Sequence, residues 1–136
     1  MRNPYSIRPY QHVLEPLFAY LMIAARQYED KNFADWYNVG PDDCDCVSTW
    51  ELANLFCDKW GDGARWVNHA GKDTLHEANF LKLDSTKLKT TFNWTPRLHI
   101  DEAVELTVAW TKAWLGNNAI PAKMDEQINA YRRDLL

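Results

Sequence analysis

Residues 2–17 read RNPYSIRPYQHVLEPL, and this stretch decides how the rest of the chain is organised. Its sixteen positions hold two arginines, two tyrosines, a histidine and three prolines, and they run directly into an apolar pattern with helical spacing. A chain end is usually polar and frayed. We therefore expect a rigid extended segment that presents Arg8, Tyr10 and His12. We also expect the structure behind this segment to be missing.

Length and composition limit the classes of protein to which the chain can belong. It has 136 residues, of which 46% are hydrophobic and 25% charged, enough for one domain or part of one. The net charge of −4 and the pI near 5.5 argue against nucleic-acid binding, which needs clustered Lys and Arg. The longest apolar run, residues 17–25, is far shorter than the ~20 residues that cross a bilayer. No secretory signal is visible, so we expect a cytoplasmic protein without a nucleic-acid or membrane partner.

The spacing of apolar residues predicts a mostly helical chain. Ser48 and Glu51 form the pattern of a capping box, Gly61 provides a stop, and Asn93 is a residue that tolerates the left-handed conformation at a helix end. Asp84 or Ser85 is expected to cap the helix that ends at Asn93. The predicted helices lie at residues 15–30, 48–60, 85–93, 99–116 and 121–135.

Three short runs read as strands, at residues 36–41, 64–67 and 80–83. Asn38 would lie at the C-terminal end of the first, where α/β sheets bind ligands. These strands are too few and too scattered to form a sheet on their own. We therefore expect a second copy of the chain or a missing N-terminal part to pair with their edges, so that self-association is predicted.

Several familiar kinds of site are absent from the sequence. Gly61 and Gly63 are followed by Trp66 where a dinucleotide-binding motif needs its third glycine, and no tyrosine has a lysine four positions later. The possible metal ligands Cys44, Cys46, Cys57, His69 and His76 lack the spacing of a zinc site, and structural thiols are the better interpretation. The sequence predicts neither a metal site nor a cofactor site in this chain.

The candidate ligand contacts each have a simpler structural explanation. Arg8 has the planar fork that binds a phosphate or carboxylate, but it also suits a surface pair with Glu15 or an aspartate. His76 and Glu77 lie in a polar loop and would face a ligand or stabilise the loop. Tyr10 would stack on a base or sugar, or pack on the following helix. His12 is better explained as a structural histidine, and His99 as a helix-start residue.

Taken together, the motifs resemble a known family. They are residues 2–17, NVGPDD at 38–43, HEANFLKLD at 76–84 and WTPR at 94–97. In this order they resemble the CDP-glucose 4,6-dehydratases, a branch of the extended short-chain dehydrogenases, over nearly the whole chain. The sequence departs from the family pattern at a few positions, among them Tyr10 for a tryptophan and Phe80 for a tyrosine.

The resemblance implies a fold and a function. Family members use NAD to convert CDP-glucose to its 4-keto-6-deoxy form, with NAD and the catalytic Tyr-Lys pair held by an N-terminal Rossmann part. This chain resembles only the C-terminal substrate-binding part, over residues 1–136, in an α/β enzyme. The expected fold is mostly helical with a few short strands and no complete Rossmann sheet, and the chain is expected to be inactive alone.

The resemblance also suggests which residues meet the CDP-sugar nucleotide. It implies that Arg8 binds the diphosphate, that Asn38 contacts the phosphate or ribose, and that the loop with His76 and Glu77 lines the nucleotide, while Tyr10 is a further substrate-binding candidate. The alternatives are a free-standing nucleotide-sugar-binding module, a fragment of another nucleotide-sugar dehydratase or epimerase, and a self-associating structural protein.

Overall fold

A computed structural model describes residues 3–69, 79–117 and 119–133 of the chain. The described residues form a mostly helical structure with one small antiparallel sheet, as predicted, and no complete Rossmann sheet. The helices are α1 (Leu14–Glu29), α2 (Thr49–Trp60), α3 (Thr86–Phe92), α4 (Ile100–Leu115) and α5 (Ile120–Arg133), and the strands are β1 (Ile7–Arg8) and β2 (Val47–Ser48). None of the described helices combines the length and the apolar character needed to cross a membrane.

Local signals set the helix ends where the sequence predicts them. At the start of α2 the backbone amide of Ser48 donates to Glu51 Oε2 at 2.8 Å, and the amide of Glu51 donates to Ser48 Oγ at 3.2 Å. Gly61 ends this helix with a φ of 71°, a conformation that a residue with a Cβ rarely adopts. Asn93 ends α3 in the left-handed conformation, with φ 51° and ψ 36°. These predictions are confirmed.

The core lies between α1, α3 and the segment that follows α3. Ala19, Leu88 and Trp94 are buried there, and partly buried apolar side chains from residues 18–39 and from Phe92 surround them. Trp94 is only 3% exposed, so the WTPR motif contributes its tryptophan to the packing rather than to a ligand. Burial of large apolar side chains is the main favourable contribution to folding.

The strand predicted at residues 36–41 is wrong. This segment has no strand partner in the described structure, and side chains satisfy its carbonyls instead. Gln11 Nε2 donates to the carbonyl of Val39 at 3.1 Å, and Ser85 Oγ donates to that of Gly40 at 3.4 Å. Because these bonds replace ladder bonds, Tyr37 and Val39 pack on the core without joining a sheet, while Trp36 is exposed.

The strand predicted at residues 64–67 is also wrong, and the one at residues 80–83 is reduced to a single bridge. The Trp66 indole donates to Asn54 Oδ1 on α2 at 2.7 Å, so the first segment is held by a side chain. Phe80 forms an isolated parallel bridge with Ile7, and residues 81–83 are not in a strand. The apolar pattern of these short runs did not distinguish strands from extended segments that are held by a side chain or by a single bridge.

The strands that do form come from the opening stretch. Ile7 and Arg8 of β1 pair antiparallel with Ser48 and Val47 of β2. On its other side Ile7 accepts a hydrogen bond from the amide of Leu81 at 3.1 Å and donates to the carbonyl of Asn79 at 2.9 Å. β1, which was not among the predicted strands, therefore has neighbours within the chain on both sides.

Glu15 ties the opening stretch to the C-terminal half of the chain. Its side chain is fully buried, and Oε1 accepts hydrogen bonds from the amides of Arg97 at 3.0 Å and Leu98 at 2.8 Å. Oε2 accepts from the Tyr131 hydroxyl on α5 at 3.1 Å. One carboxylate thus joins α1, the entry to α4, and α5.

Candidate functional site

Arg8 lies on β1, half-buried, between β2 and the segment that begins at Asn79. Its Nη1 donates to the carbonyl of Ile7 at 2.8 Å, which holds the guanidinium against its own strand. Glu15, one carboxylate considered as a partner from the sequence, is engaged with the Arg97 and Leu98 amides. The Arg8 side chain therefore extends from a strand whose backbone is hydrogen-bonded to neighbours on both sides.

Tyr10 is anchored through its hydroxyl. The hydroxyl lies 2.9 Å from Thr49 Oγ1 at the start of α2, and Thr49 Oγ1 in turn donates to the carbonyl of Ser6 at 3.2 Å. This chain of bonds fixes the orientation of the Tyr10 ring relative to β1. The hydroxyl of Tyr10 is thus anchored at the start of α2.

The start of α2 does not offer its amides to an anion. Helix N-termini commonly bind phosphate through free backbone N–H groups. Here the amide of Thr49 donates to the carbonyl of Ser6 at 3.0 Å, and that of Trp50 donates to the carbonyl of Pro4 at 2.8 Å. With the next amide used by the capping box, a diphosphate would have to be bound by side chains in this region.

Asn38 does not lie at the end of a strand, contrary to the prediction. Its side chain is exposed, and Nδ2 donates to the carbonyl of Asp84 at 3.2 Å. The neighbouring Val39 carbonyl accepts from Gln11, so Asn38 is connected to the opening stretch through one intervening bond. The structure thus brings Arg8 and Tyr10 together on one segment and places Asn38 on a second segment tied to it.

His76 and Glu77, the remaining predicted ligand contacts, lie outside the described residues. The chain re-enters the described structure at Asn79, whose carbonyl accepts from the amide of Ile7. The ligand roles of Arg8, Tyr10 and Asn38, like those of His76 and Glu77, stay predictions.

One cleft of about 660 Å³ lies between residues 41–44 and the segment that leads into α3. It contains two lysines, each already paired: Lys82 Nζ lies 3.1 Å from Asp43 Oδ2, and Lys89 contacts Asp42 Oδ1. Asp84 adds a third carboxylate to the lining. Carboxylates outnumber ammonium groups here, which makes this cleft unsuitable for a diphosphate.

A second cleft, of about 470 Å³, follows Tyr10 along the chain. It contains no lysine or arginine, and most of its lining is apolar; it is bordered by residues 11–14, Leu17, Thr107, Trp110, Met124, Gln127 and Ile128. His12 is 9% exposed, and its Nδ1 accepts from the amide of Leu14 at 3.3 Å. Burial lowers the pKa of His12, so the ring is neutral at pH 7. His12 is a structural histidine, as predicted.

The described residues do not fit an NAD site. A dinucleotide site needs glycines that open a helix after a parallel strand, where the backbone meets the pyrophosphate. Gly61 and Gly63 instead follow α2, and a Cβ built on either would have no neighbour within 4 Å. The sheet in the described part is one antiparallel pair.

Sequence reasoning missed two residues that the fold brings together. Asp45 Oδ1 accepts from the amide of Ile100 at 2.9 Å, and Asp45 Oδ2 lies 2.9 Å from His99 Nδ1. The hydrogen bond to Asp45 raises the pKa of His99. His99 does precede α4 as predicted, but its partner is far away in sequence and no local pattern indicates it.

No protein-family model matches the chain. Over 132 residues, or 96% of this chain, the sequence is 42% identical to a curated protein, the CDP-glucose 4,6-dehydratase of Salmonella typhimurium. The predicted resemblance is confirmed. The chain spans 36% of the length of this relative, consistent with similarity to one part of such an enzyme.

Proposed function

We propose that this chain is the C-terminal, substrate-binding portion of a CDP-glucose 4,6-dehydratase-like enzyme. The observation that carries the proposal is the 42% identity, which extends over 132 residues of the chain. NAD and the hydride chemistry belong to a Rossmann part that these residues do not form. Within the whole enzyme the chain contacts the nucleotide sugar, and on its own it is inactive.

In this proposal Arg8 binds the diphosphate of the CDP-sugar. Its planar fork suits two phosphate oxygens, and β1 presents it from a backbone that is paired on both sides. A guanidinium on such a support loses less conformational freedom on binding than one on a loop. Tyr10, with its hydroxyl bonded to Thr49, offers its ring to the base or the sugar.

Asn38 in this proposal contacts the phosphate or the ribose. Its Nδ2 donates one hydrogen to the carbonyl of Asp84. The second Nδ2 hydrogen can be donated to a phosphate oxygen, and Oδ1 can accept a hydrogen bond from a ribose hydroxyl. His76 and Glu77 complete the nucleotide contacts, as the resemblance implies.

The test is a chimera in which this chain replaces the matching region of the Salmonella typhimurium relative. We expect conversion of CDP-glucose to the 4-keto-6-deoxy product, and we expect Arg8→Ala to weaken CDP-glucose binding by about tenfold or more, since it removes a charged hydrogen bond. Arg26→Ala, on the exposed side of α1, is the matched control. A folded chimera without activity, or one in which Arg8→Ala binds CDP-glucose normally, would contradict the proposal.

Calorimetry on the chain alone separates the alternatives. Tight CDP-glucose binding without the Rossmann part would indicate a free-standing module instead of a portion of an enzyme. Preference for another nucleotide sugar would favour a different dehydratase or an epimerase.

We further propose that the chain self-associates through one face of α1. Val13 is 59% exposed, Leu17 48%, Tyr20 58% and Leu21 72%. At this spacing the four side chains lie on one stripe of the helix. A contiguous apolar stripe in water is unfavourable, and covering it stabilises an assembly.

A further inference from the structure

Three potential metal ligands of different chemistry meet beside the start of α4. Cys44 contributes a thiol, Asp45 a carboxylate oxygen and His99 a ring nitrogen, and these atoms all lie within 4.8 Å of one another. Cys44 Sγ lies 3.6 Å from Asp45 Oδ2, and His99 Nδ1 lies 2.9 Å from the same oxygen. We propose that Cys44, Asp45 and His99 bind a Zn²⁺ ion.

The separations suit tetrahedral coordination. Zinc bonds of about 2.3 Å to sulfur and about 2.0 Å to nitrogen or oxygen put neighbouring ligand atoms roughly 3 to 4 Å apart. The separations of 3.6 and 2.9 Å from Asp45 Oδ2 are close to that range, and the Cys44 and His99 ligand atoms lie within 4.8 Å of each other, so side-chain rotations bring the three ligands into place. A set of one sulfur, one nitrogen and one oxygen matches the borderline softness of zinc.

Asp45 gives the site a fixed centre. Its side chain is almost fully buried, and Oδ1 is held by the amide of Ile100 at 2.9 Å, so Oδ2 points to the other two ligands. Cys44 and His99 are exposed, which gives the ion a path from solvent. With three protein ligands, water would occupy the fourth position.

Electrostatics favour a cation at this place. The N-terminus of a helix carries a partial positive charge and would oppose it. Asp42, Asp43 and Asp101 lie nearby, but each is paired with a lysine and contributes little net charge. The negative charge that offsets the helix dipole comes from Asp45, a Cys44 thiolate and Glu102 in the first turn of α4.

The capping role of Asp45 is the competing explanation for this arrangement. As a helix cap, Asp45 accounts for the bonds to the Ile100 amide and to His99, and this explanation does not require the Cys44 thiol. Without a metal, the Cys44 thiol donates a weak hydrogen bond to Asp45 Oδ2, and the zinc site would replace that bond with coordination of the thiolate. Cys46 provides the contrast, because its thiol points elsewhere and donates to the carbonyl of Asp42 at 3.7 Å.

The test uses the full chain, reduced, and Co²⁺ as a spectroscopic substitute for Zn²⁺. We expect one equivalent of Co²⁺ to produce thiolate-to-cobalt charge-transfer absorption that Zn²⁺ displaces. Cys44→Ser removes this band, and His99→Asn weakens binding by about tenfold or more, since even outer-shell changes cost that much. Cys46→Ser is the matched control and keeps both the band and the affinity.

A second measurement does not depend on the folding of variants. In the unaltered chain, Zn²⁺ protects Cys44 from alkylation while Cys46 and Cys57 react at unchanged rates, as followed by mass spectrometry of peptides. The proposal is overturned if Co²⁺ gives no thiolate band, if the band follows Cys46 instead of Cys44, or if Zn²⁺ leaves Cys44 alkylation unchanged.

Discussion

Glu15 is a charged residue with no solvent exposure, and its three hydrogen bonds explain why it is tolerated there. Two bonds come from backbone amides and one from Tyr131. Burial and the nearby Glu15 carboxylate raise the pKa of this tyrosine, so its hydroxyl remains a donor under all ordinary conditions. The carboxylate is therefore a structural link between distant parts of the chain.

We predict that Glu15→Ala lowers the free energy of unfolding by about 3 kcal/mol or more, because it leaves buried donors unpaired. Glu15→Gln keeps the volume and one acceptor and costs less, about 1 to 2 kcal/mol. Urea denaturation measures both. Glu29→Ala, at an exposed pair with Arg26, is the control and leaves stability nearly unchanged. Equal stability of Glu15→Ala and the unaltered chain would contradict this role.

His12 makes stability depend on pH in a defined direction. Its pKa in the folded chain is lowered from 6.5 by burial, so the unfolded chain takes up the proton first as the pH falls. The neutral ring contributes fully to the free energy of unfolding above pH 6.5. This contribution is lost as the pH falls from 6.5 to the lowered pKa that His12 has in the folded chain. We predict that the free energy of unfolding decreases as the pH falls through this window.

The measurement compares the unaltered chain with His12→Gln by urea denaturation across that window. Gln can still accept from the Leu14 amide but does not titrate. We expect a smaller pH slope in the variant. His99, whose pKa is raised, has the opposite sign, so only the difference between the two proteins reports on His12. Identical slopes would show that His12 is not the group responsible.

At the scale of elements, α2 depends on its capping box. Ser48→Ala removes the acceptor for the Glu51 amide, and we predict a loss of about 1 kcal/mol of stability. Hydrogen exchange at the Glu51 amide should become faster, because the first turn frays. Ser48→Asn is the matched control, since asparagine caps equally well and should preserve both readouts. Unchanged exchange in Ser48→Ala would mean that the contacts to Pro4 and Ser6 alone hold this end.

At the scale of the whole molecule, the exposed stripe of α1 sets the expected oligomeric state. If it mediates self-association, sedimentation velocity should show a sedimentation coefficient that rises with protein concentration. Leu17→Lys combined with Leu21→Lys should return the chain to a monomer, because both side chains lie on that stripe. Leu115→Lys, at a residue 58% exposed at the end of α4, is the control. A monomer at all concentrations would exclude self-association through this face.

The sequence by itself determined the helices and the family resemblance. Helix ends are set by contacts a few residues apart, such as the box of Ser48 and Glu51 or the left-handed Asn93, so the pattern along the chain contains the information. The 42% identity to the relative likewise depends on the order of residues and needs no coordinates. The candidate ligand contacts Arg8 and Tyr10 were likewise identified from the sequence, in residues 2–17.

Only the tertiary structure decided which distant groups meet. The pairing of β1 with β2, the bonds from Glu15 to Leu98 and Tyr131, and the meeting of Asp45 with His99 all close long loops. Local propensity does not specify such contacts. Closing a long loop costs conformational entropy, and this cost is offset only by the burial of apolar side chains throughout the core. The same reason explains why the strands predicted at residues 36–41 and 64–67 do not form. In the first segment the Gln11 side chain donates a hydrogen bond to the carbonyl of Val39. The second segment is anchored to α2 by the bond from Trp66 to Asn54.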